Sequence, residues 1–499
     1  MPILPSEFYS KNEKDRTDYE TRAIEIAKIS LPYLIRDDGA SKSTKMNDKA
    51  SQSFNGRLVN NLKAKMGMAL LPPSTSSFRL KPDAAGQLKL FAGNEEAREK
   101  LAQDLSMKTD TINTEIENQQ IRSSMFDMIA QLIVVGSAVV EKIDKKGIQL
   151  YPLKSFVVKL DSNGQPIAIC VKETLSVLPR DITPKEEKDE YELFTLLNYD
   201  KDSDKWIMTQ DIDGELVGVE KTYKDYDSLP FRYFGWTWMV GDDYHRPFAE
   251  DYYADMNQMD KLAKLNTDGS IISAKSVLMV NQRGNRTRKQ DLVNAANGAV
   301  IDGHADDVTS FQFNKNFDFQ VSNEREAMLK KELQSNFLDT GSITRDAERV
   351  TAEEIRVMAQ QLESSTLAGI YSKMSLQWSK WIVERVMDEL KITFEAIEVS
   401  VLTGLDALGR SQEAQKQDNF VQRLVATGLQ HWLKESEVIN RWAAYDNINT
   451  VNLIKTSKEV KDEQQQARDA AAKQEMNMSG AKAAGEEGGK QVAAAPEQA

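Results

Sequence analysis

The stretch Asp346-Ala347-Glu348-Arg349-Val350-Thr351-Ala352-Glu353-Glu354-Ile355-Arg356 joins a charged segment to a long amphipathic helical pattern. A helix start needs side-chain partners for its unpaired backbone N–H groups, and Thr351 followed three residues later by Glu354 has the spacing of a capping box. Apolar residues then recur at helical spacing up to Leu390, with no intervening proline. The pattern predicts one continuous helix over residues 351–390, about 60 Å long.

Helical patterns also occupy much of the first 140 residues. Apolar residues recur at helical spacing over residues 18–35 and 51–71, and Pro72-Pro73 ends the second pattern because proline cannot continue a helix. A further pattern over residues 95–140 predicts another long helix, closed by Lys145-Lys146-Gly147. The chain is therefore expected to begin as a mainly helical region.

Strand patterns replace the helical ones after residue 150. Residues 151–160 and 166–177 flank Asn163-Gly164, a pair typical of a type I′ hairpin turn, in which both central positions have positive φ. Shorter strand patterns follow over residues 191–199, 205–209 and 216–222, the last of them after Asp213-Gly214. Helices followed by antiparallel strands predict the α+β class.

Two helical patterns enclose a mixed segment in the second half of the chain. The aromatic run from Phe231 to Trp238 suits either a base-stacking platform for nucleic acid or a buried strand, and we adopt the buried strand. Pro247 suits the first position of a helix over residues 247–268. A segment with short strand patterns follows, and a second helix is predicted over residues 323–338.

The C-terminal tail has a different composition from the rest of the chain. Residues 459–474 are rich in Ala, Gln, Lys and Glu, which suits a solvated helix. Residues 479–499 carry too little apolar surface to offset the entropy of ordering them. We therefore expect residues 479–499 to be disordered in the free subunit.

Four passages, in order along the chain, resemble one protein family. They are Phe54-Asn55-Gly56-Arg57-Leu58-Val59-Asn60-Asn61-Leu62 with Leu70-Leu71-Pro72-Pro73-Ser74; Arg246-Pro247-Phe248-Ala249-Glu250-Asp251-Tyr252; Glu348-Arg349-Val350-Thr351-Ala352-Glu353-Glu354-Ile355-Arg356 with Thr366-Leu367-Ala368-Gly369-Ile370-Tyr371-Ser372; and Thr403-Gly404-Leu405-Asp406-Ala407-Leu408-Gly409-Arg410. Together they resemble the head–tail connector, or portal, proteins of short-tailed, podovirus-type double-stranded DNA bacteriophages.

This resemblance implies an α+β portal-type subunit with long stem, wing and crown helices and small β-rich clip and wing elements. The implied regions are an N-terminal wing region at 1–246, stem helix one at 247–268, a clip at 269–319, stem helix two at 320–338, a tunnel loop at 339–350, a long wing helix with its return at 351–403, a crown at 404–456 and a helical to disordered tail at 457–499. It also implies a non-enzymatic subunit of a ring at one capsid vertex, through which double-stranded DNA is packaged and later ejected.

The resemblance further implies the partners and the location. The partners would be about twelve copies of the chain in a ring, the major capsid and scaffolding proteins, the terminase packaging motor, a tail adaptor protein and the DNA in the channel. The location would be the head–tail junction of the virion, reached after assembly in the host cytoplasm. Two other functions stay open from the residues alone: a metal-dependent hydrolase or nuclease of mixed fold, and a helical scaffold without a channel.

Composition limits the function independently of the resemblance. The 499 residues are enough for several domains, and their net charge of −13 has the wrong sign for tight binding to DNA phosphates. Twelve such subunits would carry −156 in total, a charge that suits a conduit with a weak hold on DNA. The single cysteine, Cys170, excludes a disulfide framework and is expected to be a small buried side chain. The sequence shows no N-terminal secretion signal and no apolar run long enough for a bilayer, so a reducing cytoplasm is expected.

Motifs for catalysis and cofactor binding are largely absent from the sequence. No G-x-x-x-x-G-K-[ST] phosphate loop occurs, so an ATP-driven motor of that type is excluded. The three histidines, His245, His304 and His431, are scattered and are expected to be surface or partly buried polar residues. Asp200-Lys201-Asp202-Ser203-Asp204 has the carboxylate spacing of a calcium loop but lacks its glycine and its final glutamate, so a solvated hairpin turn is predicted. We therefore predict no cofactor, no metal and no catalytic residue.

Two charged groups of residues are the candidate functional sites. The first, a predicted clip contact surface for the motor, the tail adaptor or entering DNA, consists of Arg283, Arg286, Arg288 and Lys289. The second, in the tunnel loop implied by the resemblance, consists of Arg345, Asp346, Glu348 and Arg349. Its mixed charges suit ion pairs between neighbouring subunits and transient phosphate contacts. A solvated loop without function is the alternative for both groups.

Overall fold

The computed structural model describes a series of ranges along the chain. They are 3–36, 50–72, 76–82, 95–179, 182, 188–274, 277–280, 289–296, 300, 308–311, 316–339, 352–392, 397–401, 417–433, 438–439, 442, 460, 462–463 and 465–470. The chain divides into two units: Met1–Leu71 with Ile116–Lys373, and Pro72–Glu115 with Met374–Ala499.

The first part of the chain is mainly helical, as predicted. Its elements are α1 (Pro5–Asn12), a 3-10 turn (Glu13–Arg16), α2 (Thr17–Ile29), α3 (Phe54–Leu70), β1 (Phe78–Pro82), α4 (Glu95–Asn118) and α5 (Ile121–Val134). The single helix predicted over residues 95–140 is wrong. Gln120 has a left-handed φ of 53° and separates α4 from α5. Gly136, with a φ of 92°, then turns the chain into a strand, and a Cβ there would lie 2.4 Å from the carbonyl oxygen of His245.

The strands that follow form two antiparallel sheets in the first unit. They are β2 (Ser137–Ile143), β3 (Gly147–Tyr151), β4 (Phe156–Leu160), β5 (Pro166–Leu175), β6 (Tyr191–Asp200), β7 (Lys205–Ile212), β8 (Glu215–Tyr223) and β9 (Phe231–Gly235). The three-stranded sheet has the order β3-β2-β9, and the five-stranded sheet has the order β4-β5-β6-β7-β8. All residues of β9 are buried, which confirms the buried-strand interpretation of the aromatic run.

The turns between these strands test the predicted hairpins. A hairpin does join β4 to β5, but the predicted type I′ turn is wrong, because only Gly164 has a positive φ, of 77°. Instead, the Asp161 carboxylate accepts backbone hydrogen bonds from Asn163 at 2.8 Å and Gln165 at 2.7 Å. The Asp213-Gly214 turn between β7 and β8 has positive φ at both residues, 55° and 80°, as a type I′ turn requires.

Two other predictions for this region are confirmed. Residues 200–204 form the exposed turn between β6 and β7, in which the Ser203 hydroxyl donates to Asp200 at 2.6 Å. Cys170 is fully buried in β5 and packs with Tyr9, Val157 and Phe194 beneath α1. The strand predicted over 151–160, in contrast, is wrong in its first half, since Tyr151 ends β3 and a 3-10 turn at Leu153–Ser155 precedes β4.

A buried carboxylate fixes α1 on the five-stranded sheet. Asp211 on β7 is 0% exposed and accepts hydrogen bonds from the backbone N–H of Ser6 at 2.7 Å and from its hydroxyl at 2.6 Å. Ser6 lies in the first turn of α1, where unpaired N–H groups and the helix dipole favour a negative charge. Asp211 therefore ties the N-terminal helix to the five-stranded sheet.

The second half of the chain returns to helices with short strands between them. The elements are α6 (Phe248–Asp251), α7 (Tyr253–Ala274), β10 (Val277–Val280), α8 (Lys289–Asn294), β11 (Val308–Phe311), α9 (Asn316–Asn336), α10 (Ala352–Ser364), α11 (Ala368–Glu389) and β12 (Ile397–Val401). Strands β10 and β11 pair with each other, and β1 pairs with β12 in the second unit, both antiparallel. None of the helices in the described residues is long and apolar enough to span a membrane.

The helices of this half are more interrupted than the sequence predicted. The helix expected over residues 247–268 breaks at Tyr252 and extends to Ala274, and Pro247 precedes its first turn instead of lying within it. The single helix expected over 351–390 is wrong, because residues 365–367 separate α10 from α11. There the Ser365 hydroxyl accepts a hydrogen bond from the Leu367 backbone at 3.1 Å, which satisfies a group that a continuous helix would pair within itself.

Candidate functional site: the helix pair α7–α9 and its base

Helices α7 and α9 form an antiparallel pair joined through the β10–β11 segment. The start of the outgoing arm meets the end of the returning arm, since the Phe248 ring lies 5.0 Å from the Phe337 ring. Further along, the Asn266 amide on α7 donates to Glu326 on α9 at 2.7 Å. Helix, short strands and returning helix is the order that the resemblance implied for stem, clip and stem.

The pair is held mainly at its base by apolar side chains. Met256 and Met259 on α7, and Leu329 and Leu333 on α9, are each 1% exposed or less. Below them, four aromatic rings form a cluster in which adjacent centroids are 5.0 to 5.6 Å apart: Trp236, Phe248, Tyr252 and Phe337. Two of these contacts are edge-to-face and two are tilted, and they add to the stabilisation from burial, so the base is tightly packed.

Charged residues surround the first turn of the outgoing arm. The Glu250 carboxylate accepts from Arg22 at 3.0 Å and from Arg246 at 3.3 Å. Burial, reinforced by the neighbouring negative charge of Glu250, raises the pKa of Asp251, while Arg246 acts in the opposite direction. These contacts fix α6 beside α2 at the base of the pair.

Helix α9 ends in a Schellman motif that directs the chain out of the pair. The backbone N–H of Asp339 donates to the Gln334 carbonyl at 2.7 Å, and that of Leu338 donates to the Ser335 carbonyl at 3.2 Å. The motif needs one residue in the left-handed conformation, normally glycine. Here that residue is Leu338, which has a φ of 55°. A leucine in that conformation costs about 1–2 kcal/mol, so other contacts must hold it.

A cleft of about 520 Å³ lies beside the base, between β9, α6 and the turn from α10 to α11. Apolar walls come from Trp236, Phe248 and Leu367, while Asp251 and Lys373 supply charge. Within the described residues, no group of three or more His, Cys, Asp or Glu side chains is arranged to hold a metal ion. The cleft thus offers one acid, one base and the hydroxyl groups of Thr237, Tyr252 and Thr366.

His245 lies near this base, and its surroundings contradict one prediction. It was expected to be a surface or partly buried residue, but it is only 4% exposed, and its Nδ1 lies 2.9 Å from the Tyr233 hydroxyl. Tyr233 in turn lies 2.9 Å from the Ser137 hydroxyl. Burial, with a smaller contribution from Lys373, lowers the His245 pKa to about 3. The imidazole is therefore neutral at physiological pH and has a structural part in joining β2, β9 and the chain that leads into α6.

A second titratable cluster lies on the strands, away from the helix pair. The Tyr151 hydroxyl is 2.6 Å from Glu141 Oε2 and 3.0 Å from Glu173 Oε1, and Gln149 donates to the same Glu173 oxygen at 2.7 Å. One hydroxyl has one hydrogen, so it donates to only one of the two carboxylates. Burial raises the pKa of Glu141 to about 7, Glu173 adds to the rise, and Tyr151 and Lys221 oppose it. The cluster therefore holds a proton close to neutral pH.

The sequence matches one protein family over most of its length. Residues 6–435 match the family described as "Bacteriophage head to tail connecting protein". The chain belongs to the bacteriophage head-to-tail connecting protein family. It is a portal, or head–tail connector, subunit of mixed helix and sheet, which confirms the family and the fold class expected from the sequence.

Individual portal proteins are similar along most of the chain. The portal protein of Enterobacteria phage T3 is 29% identical over 435 residues, covering 83% of this chain and 80% of its own length. That of Escherichia phage T7 is 29% identical over 436 residues with the same coverage, and that of Enterobacteria phage SP6 is 27% identical over 453 residues, covering 88% and 86%. A solved chain from the neck of an empty gene transfer agent particle has 11% identity and a TM-score of 0.40, covering 78% of this chain and 89% of its own.

The predicted site residues of this portal subunit fall mostly outside the part that the structure describes. Arg345, Asp346, Glu348 and Arg349 all lie outside the described residues, and so do His304 and the arginines at positions 283, 286 and 288. Lys289 is the first residue of α8. His431 lies in a 3-10 turn and is exposed, as expected. The tunnel-loop and clip assignments therefore stay predictions.

Sequence reasoning missed the polar face of α3, although a signal for it was present. Arg57, Asn61 and Lys65 recur every four residues within a helix whose other positions are mostly apolar. That spacing places the three side chains on one face of the helix. A polar stripe in a buried helix indicates a specific polar contact, and the structure supplies one at the end of α9.

Proposed function

We propose that copies of this portal subunit form a closed ring at one capsid vertex, through which double-stranded DNA enters during packaging and leaves during ejection. The helix pair α7–α9 lines the channel, and the β10–β11 segment faces outward, toward the motor and the tail. Membership of the head-to-tail connecting protein family supports this assignment. A ring of about twelve subunits follows from the resemblance and is part of the proposal.

The ring proposal is supported by apolar side chains that are exposed on the helix pair. Among the described side chains of the helix pair, four large apolar ones are more than half exposed: Leu265 (62%) and Ile271 (53%) on α7, with Val321 (52%) and Met328 (59%) on α9. Burying one such side chain is worth about 1.5–3 kcal/mol, so a narrow pair of helices with four of them favours contact with another protein surface. The occupant that we propose is the same pair of a neighbouring copy, because a ring places identical pairs side by side.

In this proposal, two charged surfaces contact the other components: the tunnel loop contacts neighbouring subunits and DNA, and the clip contacts the motor, the tail adaptor or DNA. Arg345 and Arg349, with Asp346 and Glu348 beside them, contact neighbouring loops or passing phosphate groups in the tunnel. Arg283, Arg286, Arg288 and Lys289 form the clip surface that meets the packaging motor, the tail adaptor or the entering DNA. The net charge of −13 per subunit supports weak, transient contact with DNA, because most of the ring surface repels phosphates.

The proposal includes the capsid and scaffolding proteins as partners during assembly, and the head–tail junction of the virion as the final location. It also makes the subunit non-enzymatic. Purified protein is then expected to hydrolyse neither ATP nor DNA, with or without divalent metal. Turnover that stays with the chain through independent preparations would favour a metal-dependent hydrolase or nuclease instead.

A pair of substitutions tests the ring through the helix pair. We expect the double variant Leu265→Asp/Met328→Asp to form no ring in native mass measurement, because each substitution places a charge in an apolar interface. Val240→Asp is the matched control, since Val240 is 83% exposed and lies outside the pair. It should assemble as the wild type does. Rings formed equally by all three proteins would show that the pair does not contact its neighbour.

A further inference from the structure

Asn55, in the first turn of α3, links two other helices through one side chain. Its amide nitrogen donates to the carbonyl oxygen of Ile29, the last residue of α2, at 3.1 Å, and to that of Met256, near the start of α7, also at 3.1 Å. A primary amide has two N–H hydrogens, so both contacts form at once. The last carbonyl groups of a helix need partners from outside it, and Asn55 supplies one at the end of α2. One asparagine therefore joins α2, α3 and α7 at a single point.

What Asn55 contributes at this position is its two donors rather than its bulk. The residue is 0% exposed, and among the described residues its amide oxygen finds no hydrogen-bond partner. A buried oxygen without a partner is unfavourable, so an apolar residue would suit the position better if the side chain only filled space. Gly56 beside it lets α3 approach the end of α2, because a Cβ there would lie 3.0 Å from the Ser30 carbonyl oxygen.

Helix α3 makes a second polar anchor, to the end of the returning arm α9. The Lys65 ammonium donates to the carbonyl oxygen of Leu338. The Asn61 amide donates to Asp339 Oδ1 at 2.8 Å, and the guanidinium of Arg57 lies 3.6 Å from Asp339 Oδ2. These contacts supply the external support that the left-handed Leu338 requires, and a cation is favoured at the C-terminal end of a helix.

The two anchors hold different arms of the helix pair at different points along α3. Asn55 contacts the start of α7 and Lys65 contacts the end of α9, and these two residues are ten positions, or about 15 Å, apart on the helix. Apolar packing at the base is non-directional and permits small tilts, whereas hydrogen bonds to both arms fix one direction. We propose that α3 sets the direction of the pair α7–α9 relative to the two sheets, with Asn55 and Lys65 as the positioning residues.

The consequence for the ring rests on the proposed function, in which neighbouring helix pairs contact each other; the positioning itself does not. Identical subunits close into a ring only if the rotation from one copy to the next divides a full turn. That rotation depends on the direction in which each subunit holds its pair. Loss of an anchor should therefore broaden the distribution of ring sizes in native mass measurement, whereas the wild type should give one size.

The distance between a spin label on the helix pair and one on the five-stranded sheet measures this direction. Ala327 on α9 and Val219 on β8 are both exposed and can be replaced by cysteine, while the native Cys170 is fully buried and stays unlabelled. Ala327 lies eleven residues before Leu338, about 16 Å along the chain of α9, so a tilt of about 10° moves its label by about 3 Å. Each labelled chain is produced with an excess of the same chain lacking the two cysteines, so that double electron–electron resonance reads distances within one subunit.

Asn55→Ala removes both donors of the first anchor, and Lys65→Met removes the charged donor of the second. We expect each of them to shift the label distance, or to widen its distribution, by about 3 Å or more. Asn12→Ala is the matched control, because this buried asparagine lies in the same unit but donates within its own helix, to the Phe8 carbonyl at 2.8 Å. Its label distance should equal that of the wild type.

Three outcomes would overturn one of the two ideas. A wild-type distance distribution in either folded variant, or an equal change in Asn12→Ala, would overturn the positioning role and leave the ring untouched. If neither Asn55→Ala nor Lys65→Met yields folded protein, Asn61→Ala decides the question, since it removes one neutral donor of the second anchor; a wild-type distribution there would overturn the inference. A wild-type protein that never forms a ring would overturn the proposed function, and the label distances would still be read in the separate subunits.

Discussion

Replacing Glu141 by glutamine should make the protein more stable above neutral pH and leave its stability unchanged in acid. In the wild type, the pKa of Glu141 rises from 4.5 to about 7 on folding, first because it is buried and next because Glu173 is nearby. The folded protein therefore binds more protons than the unfolded chain between those two pH values. The contribution of Glu141 to the free energy of unfolding is therefore fully present below about pH 4.5 and is lost as the pH rises through about 7.

The magnitude follows from the size of the pKa change. A rise from 4.5 to about 7 corresponds to about 3 kcal/mol between the protonated and ionised forms. Glutamine has no charge to desolvate and still offers an oxygen to the Tyr151 hydroxyl, 2.6 Å from the carboxylate in the wild type. At pH 8, the variant should therefore be more stable by up to about 3 kcal/mol, and at pH 4.5 the two proteins should be nearly equal.

Chemical unfolding between pH 4.5 and pH 8.5, at one protein concentration, gives this difference directly. Glu220→Gln is the control, because it makes the same chemical change at an exposed position of β8. It should show no comparable trend with pH. A wild-type and Glu141→Gln difference that stays flat across the range, or that favours the wild type at pH 8, would refute the buried-carboxylate account.

Three other changes test other parts of the subunit. Phe337→Ala should lower the free energy of unfolding by about 3–5 kcal/mol, because the ring is 0% exposed and contacts two aromatic neighbours at the base of the helix pair. A cost below about 1 kcal/mol in thermal or chemical unfolding would contradict the tight packing of this base. If Arg345 and Arg349 belong to the proposed tunnel loop, replacing both by Ala should leave helicity and ring assembly nearly unchanged but reduce DNA packaging or retention, because a solvent-exposed charge contributes little to stability. A loss of thermal stability that parallels the packaging defect would contradict that assignment. Deleting Ser479–Ala499 should leave the ring intact, as seen by native mass measurement, because that segment offers little apolar area; loss of the ring would show that it is part of an interface.

The apolar periodicity of the sequence identified most helices and strands but not their interruptions. The helix predicted over residues 351–390 was correct in its buried stripe, since Tyr371, Met374 and Trp378 are each 1% exposed or less. Its break at residues 365–367 has no proline or glycine to announce it. A turn made by the Ser365 side chain competes with the helix only when neighbouring helices favour it, and that is tertiary information.

Apolar periodicity also does not show where, between Met125 and Val140, helix α5 ends and strand β2 begins. A continuous apolar run is compatible with a buried helix and with a buried strand, and periodicity alone does not separate them. The actual change at Gly136 depends on the close approach of the chain at His245 and Pro247, more than a hundred residues away. The helix predicted over residues 95–140 was therefore correct up to Val134, apart from the break at Gln120, and wrong for Ser137–Val140, which lie in β2.

The sequence was enough to recognise the family but not to predict the contacts that α3 makes. The family could be recognised from four ordered passages, and the family match over residues 6–435 confirms it. The grip of α3 on Leu338 and Asp339 was not predicted, because its two sides are separated by more than 270 residues in sequence. The four-residue spacing of Arg57, Asn61 and Lys65 marks the polar face, but only the fold identifies what it holds.

Electron microscopy of the purified protein, viewed along its axis, shows directly whether the subunits form a ring. We expect one closed ring with an axial opening that admits duplex DNA, and with the helix pair α7–α9 around that opening. Monomers or dimers at all concentrations, or open filaments in place of rings, would contradict it.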